Sequence, residues 1–338
     1  MYDKGLQAFW NGTNSTCCFF DEPLLSYLLP PLLIVVFVMG SSFNGIALWV
    51  FCCQIKSWTS STVYLFNLAV ADFLLLICLP FRTDYYLKQK TWVYGEIPCW
   101  LVLFMLAMNR SGSIFFLTLI GIDRYCRVVH PHHSINSMPT KFGIGIACAV
   151  WVGSVVLTIF VVPSIQNGGE DTAFCDFFTI CPSYFDYYDL HFIMVFFLPL
   201  CIILYCSCRI VWRLRQRNLD RHFKIKRAVQ CIILVGIMFS VFFLPSVSTR
   251  IEVLRLLSSP QKADCNIYKT VDTAFYITIT LTYMNSMCNP LVYYFFSPSF
   301  QAFYLKIIKC SNQSEMESEQ NNNNSHTTPE LHTAASPH

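Results

Sequence analysis

Arg110 stands inside an apolar stretch that runs from Cys99 to Tyr125, and no acid lies within one helical turn of it. At the helical rise, Arg110 is ~16 Å from Cys99 and Arg124 a further ~21 Å on, against a hydrocarbon core ~30 Å thick. The guanidinium therefore falls near mid-membrane, where even the lowest scale charges ~2.5–3.5 kcal/mol for an arginine without a partner. A cation with no acid at helical spacing points to an anionic ligand, a carboxylate, as that partner. The alternative is backbone carbonyls and water in a helix bundle. A second charge lies in Asn67-Leu-Ala-Val-Ala-Asp72-Phe-Leu, a lone carboxylate amid apolar residues, too costly to leave ionised and unpaired in low dielectric. Asn109 and Ser113 lie four apart, as do Asn285 and Asn289, so each pair shares one helical face. Together they could line a hydrated cavity around Asp72 that holds a sodium ion or a water cluster, or form a structural hydrogen-bond network. Arg82 sits ten residues beyond Asp72, after Pro80, and Asp84 does not face it. It has no local partner; snorkelling toward headgroups is the alternative to a second anion contact, with Tyr86 and Phe177 closing the cavity.

The elements that must position these residues are membrane spans. The chain has 338 residues, 54% of them hydrophobic and 13% charged, which suits lipid-facing elements and excludes a soluble domain with a charged surface. Apolar runs of spanning length fall at 25–53, 61–86, 97–123, 141–162, 187–212, 229–256 and 271–296. The pattern predicts an all-α membrane protein, a seven-transmembrane helix bundle over 25–296. Arginines and lysines crowd the connection between the fifth and sixth runs, which places that connection in the cytosol and the N-terminus outside. Residues 1–24 show no signal peptide, so the first span is expected to act as the insertion signal. They carry the glycosylation acceptors Asn11 and Asn14. Cys17, Cys18, Cys99, Cys175, Cys181 and Cys265 fall on the oxidising side and read as three disulfides, with 15 pairings open. Pro245 in span six and Pro290 in span seven mark kinks. Residues 297–310 form an amphipathic segment too short to span, expected along the inner surface against lipid, with Cys310 an acylation candidate. Residues 311–338 read as a disordered cytosolic tail whose hydroxyls could be phosphorylated.

Asn44, Asp72, Cys99, Asp123-Arg124-Tyr125, Trp151, Pro199, Pro245 and Asn289-Pro290-Leu-Val-Tyr293, in this order across seven spans, resemble the rhodopsin-like G-protein-coupled receptors. The resemblance implies that Asp123 and Arg124 pair at rest, that Arg124 is released to meet the G protein, and that Ile114, Pro199 and Phe239 form a core switch. Two positions depart from the pattern: Phe243 replaces the usual tryptophan of span six, and no acid near Ile225 is available to hold Arg124. Phe66 to Leu74, Met105 to Arg110, Arg127 to His133, Leu244 to Val247 and Thr282 to Met287 are similar to the hydroxycarboxylic acid receptors, which include the lactate and nicotinate receptors. That likeness carries the carboxylate anchor onto Arg110, with Arg250 and Tyr283 beside it, and implies coupling to inhibitory G proteins. It further implies that Cys99 joins Cys175 and that Cys17 and Cys18 bond to Cys181 and Cys265. Asn289 stands where close relatives carry aspartate, a departure that bears on sodium binding. Phe81 to Tyr86 resembles the lactate receptor most.

These readings converge on a plasma-membrane receptor for a small monocarboxylate, lactate-like before nicotinate-like, acting through an inhibitory G protein, with arrestin a partner for the phosphorylated tail. No enzyme signature, cofactor motif or nucleic-acid partner is expected. A longer oxidised fatty acid is the alternative ligand. A carboxylate transporter is the alternative class, and the chain lacks the internal repeats such transporters show.

Overall fold

Leu25, Leu29, Leu33 and Val36 recur at the spacing of one helical face, and all four are buried in a core shared with Leu75, Leu79, Val102, Leu106 and Tyr283. The computed structural model describes residues 7–11, 15–19, 23–166, 175–176, 187–217, 223–258, 265–297 and 300–306. Among the described residues, eight α-helices carry the bundle: α1 Pro23–Cys53, α2 Ser60–Leu87, α3 Glu96–Val129, α4 Thr140–Gln166, α5 Tyr187–Arg217, α6 Phe223–Met238, α7 Leu244–Leu257 and α8 Cys265–Phe296. A π-helical turn over Phe239–Phe243 joins α6 to α7, so the two are halves of one crossing. The irregularity expected at Pro245 takes the form of this widened turn immediately before it. Proline, lacking an N–H and crowding the preceding turn, starts α7 while the turn before it widens.

Among the described residues, six segments are long and apolar enough to cross a bilayer: α1 to α5 and the joined α6–α7. The helix α8 is 32 residues long and carries its charge-free polar residues, Thr and Asn, along its length. Helix α3 is central, packed against α2, α4, α5 and α6. In lipid, close helix approach depends on small residues more than on apolar drive. Gly143 is such a point: a methyl group there would lie 2.7 Å from the Cα of Ser60. Thr59 caps α2, its hydroxyl accepting from the Thr62 N–H at 3.3 Å.

The segment between α2 and α3 turns through two left-handed residues, Gln89 at φ 53° and Lys90 at φ 61°. This swings the Lys90 amine over the Tyr276 ring, 3.9 Å from its centroid. Before α1, an antiparallel hairpin pairs β1 Gln7–Asn11 with β2 Ser15–Phe19, Phe9 opposite Cys17 and Ala8 opposite Cys18. The sequence reading assigned no strand there; Phe9, Trp10, Thr16 and Phe19 suit one. The chain from Ser297 onward is a separate unit. Within it 300–306 is helical, and the Gln301 N–H donates to the Ser297 carbonyl at 3.3 Å. Cys310, the 311–338 tail, Asn14, Phe177 and Cys181 lie outside the described residues, as do the side chains of Asn11, Cys17, Cys18 and Cys265.

Candidate ligand site and switch

Helix α3 carries Arg110 to a cavity of about 40 Å³ between α3, α4, α5 and α8. That is space for about three ordered waters, the scale of a two- or three-carbon acid. Its polar lining is Arg110, Ser111, Thr158, His191, Thr282 and Tyr283. The guanidinium lies 3.8 Å from the ring centroid of Phe192 and 5.6 Å from that of Phe243. Nη1 donates to Ser246 Oγ at 3.4 Å. Ring faces attract a guanidinium more strongly where water is excluded, so the cation is steadied from one side while the cavity opens on another. Two of the expected ligand contacts, Arg110 and Tyr283, line this space.

Arg82, Tyr86 and Arg250 do not line it. The expectation that Arg82 has no local partner is corrected by Tyr86, one turn on, whose hydroxyl accepts from Nη2 at 2.9 Å; Nη2 also lies 3.1 Å from Asp176 Oδ1, and Nη1 donates to the Cys175 carbonyl at 2.7 Å. The Tyr85 hydroxyl donates to the other Asp176 oxygen at 2.8 Å. The guanidinium is buried, so snorkelling is excluded as well. Cys175 is bonded to Cys99, as the resemblance implied. Arg250 donates from Nε to Asp189 Oδ1 at 2.7 Å, tying α7 to α5. Asp176 and Asp189 were missed as partners because their arginines lie 94 and 61 residues away.

A family model described as 7 transmembrane receptor (rhodopsin family) matches residues 43–293. The chain is 50% identical to hydroxycarboxylic acid receptor 2 of Homo sapiens, over 94% of this chain and 87% of that protein. It is 49% identical to human hydroxycarboxylic acid receptor 1, over 88% of this chain and 85% of that protein. The chain belongs to the hydroxycarboxylic acid receptor family. More distant similarity, 34% over 83% of this chain and 72% of the relative, reaches oxoeicosanoid receptor 1 of Homo sapiens. As a rhodopsin-family receptor it is a multi-pass membrane protein that answers small ligands and engages G proteins, and its relatives are receptors rather than enzymes.

Below the cavity the receptor holds Asp72 in a hydrogen-bond cluster. Asn289 Nδ2 donates to Oδ2 at 2.7 Å, the Tyr293 hydroxyl reaches Oδ2 at 3.4 Å and Ser113 Oγ reaches Oδ1 at 3.5 Å. Asn109, expected here, turns instead to the Ala71 carbonyl at 2.9 Å. Asn285 is buried, and its amide meets no protein hydrogen-bond partner among the described residues. Asn289 brings an N–H to the carboxylate, while its own Oδ1, like that of Asn285, is buried and meets no protein hydrogen-bond partner among the described residues.

Toward the C-terminal end of α3, Asp123 collects several donors. Arg124 Nη2 lies at 2.9 Å, Arg127 Nε at 3.0 Å, and Ser61 Oγ of α2 at 2.9 Å from both oxygens. Arg124 also lies 3.6 Å from the Phe296 ring centroid. Arg127 and Ser61 were not singled out from sequence, although Arg127 follows Asp123 by one turn. Tyr125 bonds His130 Nε2 at 3.2 Å rather than entering this cluster. In the core, Phe239 stacks on Phe196 at 5.4 Å and tilts against Phe243 at 5.2 Å. Ile114 is buried, Pro199 lies inside α5 and Pro290 inside α8. The π turn thus begins at the proposed switch residue Phe239.

Proposed function

We propose that the chain is a cell-surface receptor for small monocarboxylates, lactate-like hydroxycarboxylic acids first, that signals through inhibitory G proteins to lower cAMP. The observation that carries this reading is the guanidinium of the half-buried Arg110 on the wall of a cavity between four helices. An acid binding there replaces bulk water around its carboxylate with a charge-assisted hydrogen bond in low dielectric. Agonism follows if the acid binds the active arrangement better than the resting one, and Phe243, touching Arg110 and Phe239, links cation to switch. The N-terminus is read as extracellular and glycosylated, the tail as the arrestin segment and Asp123-Arg124 as the G-protein latch.

Dose-response curves for lactate and nicotinate, read as inhibition of cAMP, test this. Arg110→Ala keeps surface expression and loses ~30-fold to several thousand-fold in potency, the ~2–5 kcal/mol of a truncated buried charge contact. Parental potency in that variant would reject the anchor. A parent chain that prefers nicotinate would reject the lactate-like ranking.

A further inference from the structure

We infer that Ser246 is a positioning residue that couples the Arg110 anchor to the π turn, restraining the turn until the guanidinium is drawn toward a bound acid. This rests on Arg110 as the carboxylate anchor and adds how its occupancy is passed on. Ser246 is the third residue of α7 and is fully buried. A hydroxyl has one proton and two acceptor lone pairs, and Ser246 uses both. Its proton goes back to the Phe243 carbonyl at 2.8 Å, as serine in helices allows, and its oxygen accepts from Arg110 Nη1 at 3.4 Å. Phe243 is the last residue of the π turn. Arg110 therefore holds Phe243 at two points, its ring face directly at 5.6 Å and its carbonyl through Ser246. Thr249 Oγ1 meets the Ser246 carbonyl at 3.1 Å and Thr278 Oγ1 at 2.9 Å, so the first turn of α7 is tied to α8 as well as to α3.

The two bonds of Ser246 differ in how much movement they survive. The 2.8 Å bond to Phe243 has the usual length for a hydroxyl donor, whereas 3.4 Å from nitrogen to oxygen lies near the outer limit of a hydrogen bond. A small turn of the guanidinium breaks the second and leaves the first. A carboxylate offers Arg110 a shorter, charge-assisted bond of ~2.7–2.9 Å, and so draws Nη1 off the hydroxyl. Ser246 then keeps its proton on Phe243 while the start of α7 loses this tie to α3. Because the Phe243 ring tilts against Phe239 at 5.2 Å, the release is felt at the switch residues. A ligand shifts an equilibrium only through contacts that differ between two arrangements, and the Arg110–Ser246 bond, made in one and broken in the other, is such a contact. Ser248 supplies the internal contrast: its hydroxyl also donates within its own helix, to the Leu244 carbonyl at 2.9 Å, but the residue is exposed.

The test is agonist-free G-protein activation in cells expressing the full chain, normalised to surface level, for Ser246→Ala, Arg110→Met and the two combined. Ser246→Ala is expected to raise the basal signal ~3-fold, within the ~2–10-fold that one net hydrogen bond is worth. The combined variant is expected to signal no more than Arg110→Met alone, because both changes remove the same bond. Ser246→Thr, which keeps the hydroxyl, returns the basal signal to the parent value, and Ser248→Ala leaves it there. Ser246→Cys, close in shape with a weak acceptor, is expected to behave as the alanine variant and replaces it should that variant fail to reach the surface. With lactate, Ser246→Ala responds at ~3-fold lower concentration and with a smaller increment, since the acid no longer has a bond to break. A parental basal signal in both Ser246→Ala and Ser246→Cys, a combined variant whose rise is the product of the two singles, or an equal rise in Ser248→Ala would overturn the inference. So would a ~10-fold loss of lactate potency at parental basal signal, which would make Ser246 a ligand contact instead. A parent chain silent to lactate and nicotinate whose basal cycle runs as expected would reject the anchor reading and leave the restraint standing.

Discussion

Asp189 and Arg250 are 5% and 6% exposed at their side chains and bond at 2.7 Å across α5 and α7. Removing one partner of a buried ion pair typically costs ~3–5 kcal/mol, whereas replacing both is often near neutral. Asp189→Asn should therefore lower the melting temperature of purified receptor more than Asp189→Asn with Arg250→Gln does. A thermal-shift double-mutant cycle measures this, and strictly additive losses would show that the pair contributes no coupling. The same residues show what sequence could and could not yield. Arg110 was legible as a buried cation because its apolar neighbours are contiguous. Its surroundings, Phe192 and Ser246, and the acids that hold Arg82 and Arg250, come from other helices or the loop before α5. No local spacing encodes them.

At the scale of elements, the span boundaries were legible to within a few residues where apolar runs end in turn-forming or charged residues, as at Lys88 and Thr140. Span six shows the limit. Pro245 announced an irregularity, but widening over Phe239–Phe243 depends on how the Phe196, Phe239 and Phe243 rings pack, which no single-helix pattern contains. The N-terminal hairpin was missed for a related reason: strands of five residues between polar turns carry too short an alternation. Packing between α4 and α2 gives a sharp test. Gly143→Val drives a branched side chain into the Ser60 backbone, where even one methyl would sit 2.7 Å away. Overpacking of this kind costs roughly 1–3 kcal/mol. The expected outcome is a lowered melting temperature and reduced surface level, with agonist potency retained in the folded fraction; a melting curve superimposable on the parent would contradict the close approach.

For the molecule as a whole, two ties of different chemistry meet at adjacent residues. The Cys99–Cys175 disulfide anchors the chain before α5 to the start of α3, and Asp176, next in sequence, bonds Arg82 of α2. Their adjacency has a consequence for dose. Asp176 is a tethered rival to every dissolved acid, and a short tether presents its group at an effective concentration of order millimolar or more. Arg82 is thus already saturated by the receptor's own chain, and chloride or mixed carboxylates in the medium gain no occupancy there. On the proposed reading, selectivity is then exercised at Arg110. In Asp176→Asn the rival loses its charge, and agonist potency should become sensitive to exchanging chloride for a bulky, weakly binding anion at constant ionic strength. The parent receptor should show no such shift, its Arg82 being buffered by an internal counter-ion that no change of medium can dilute.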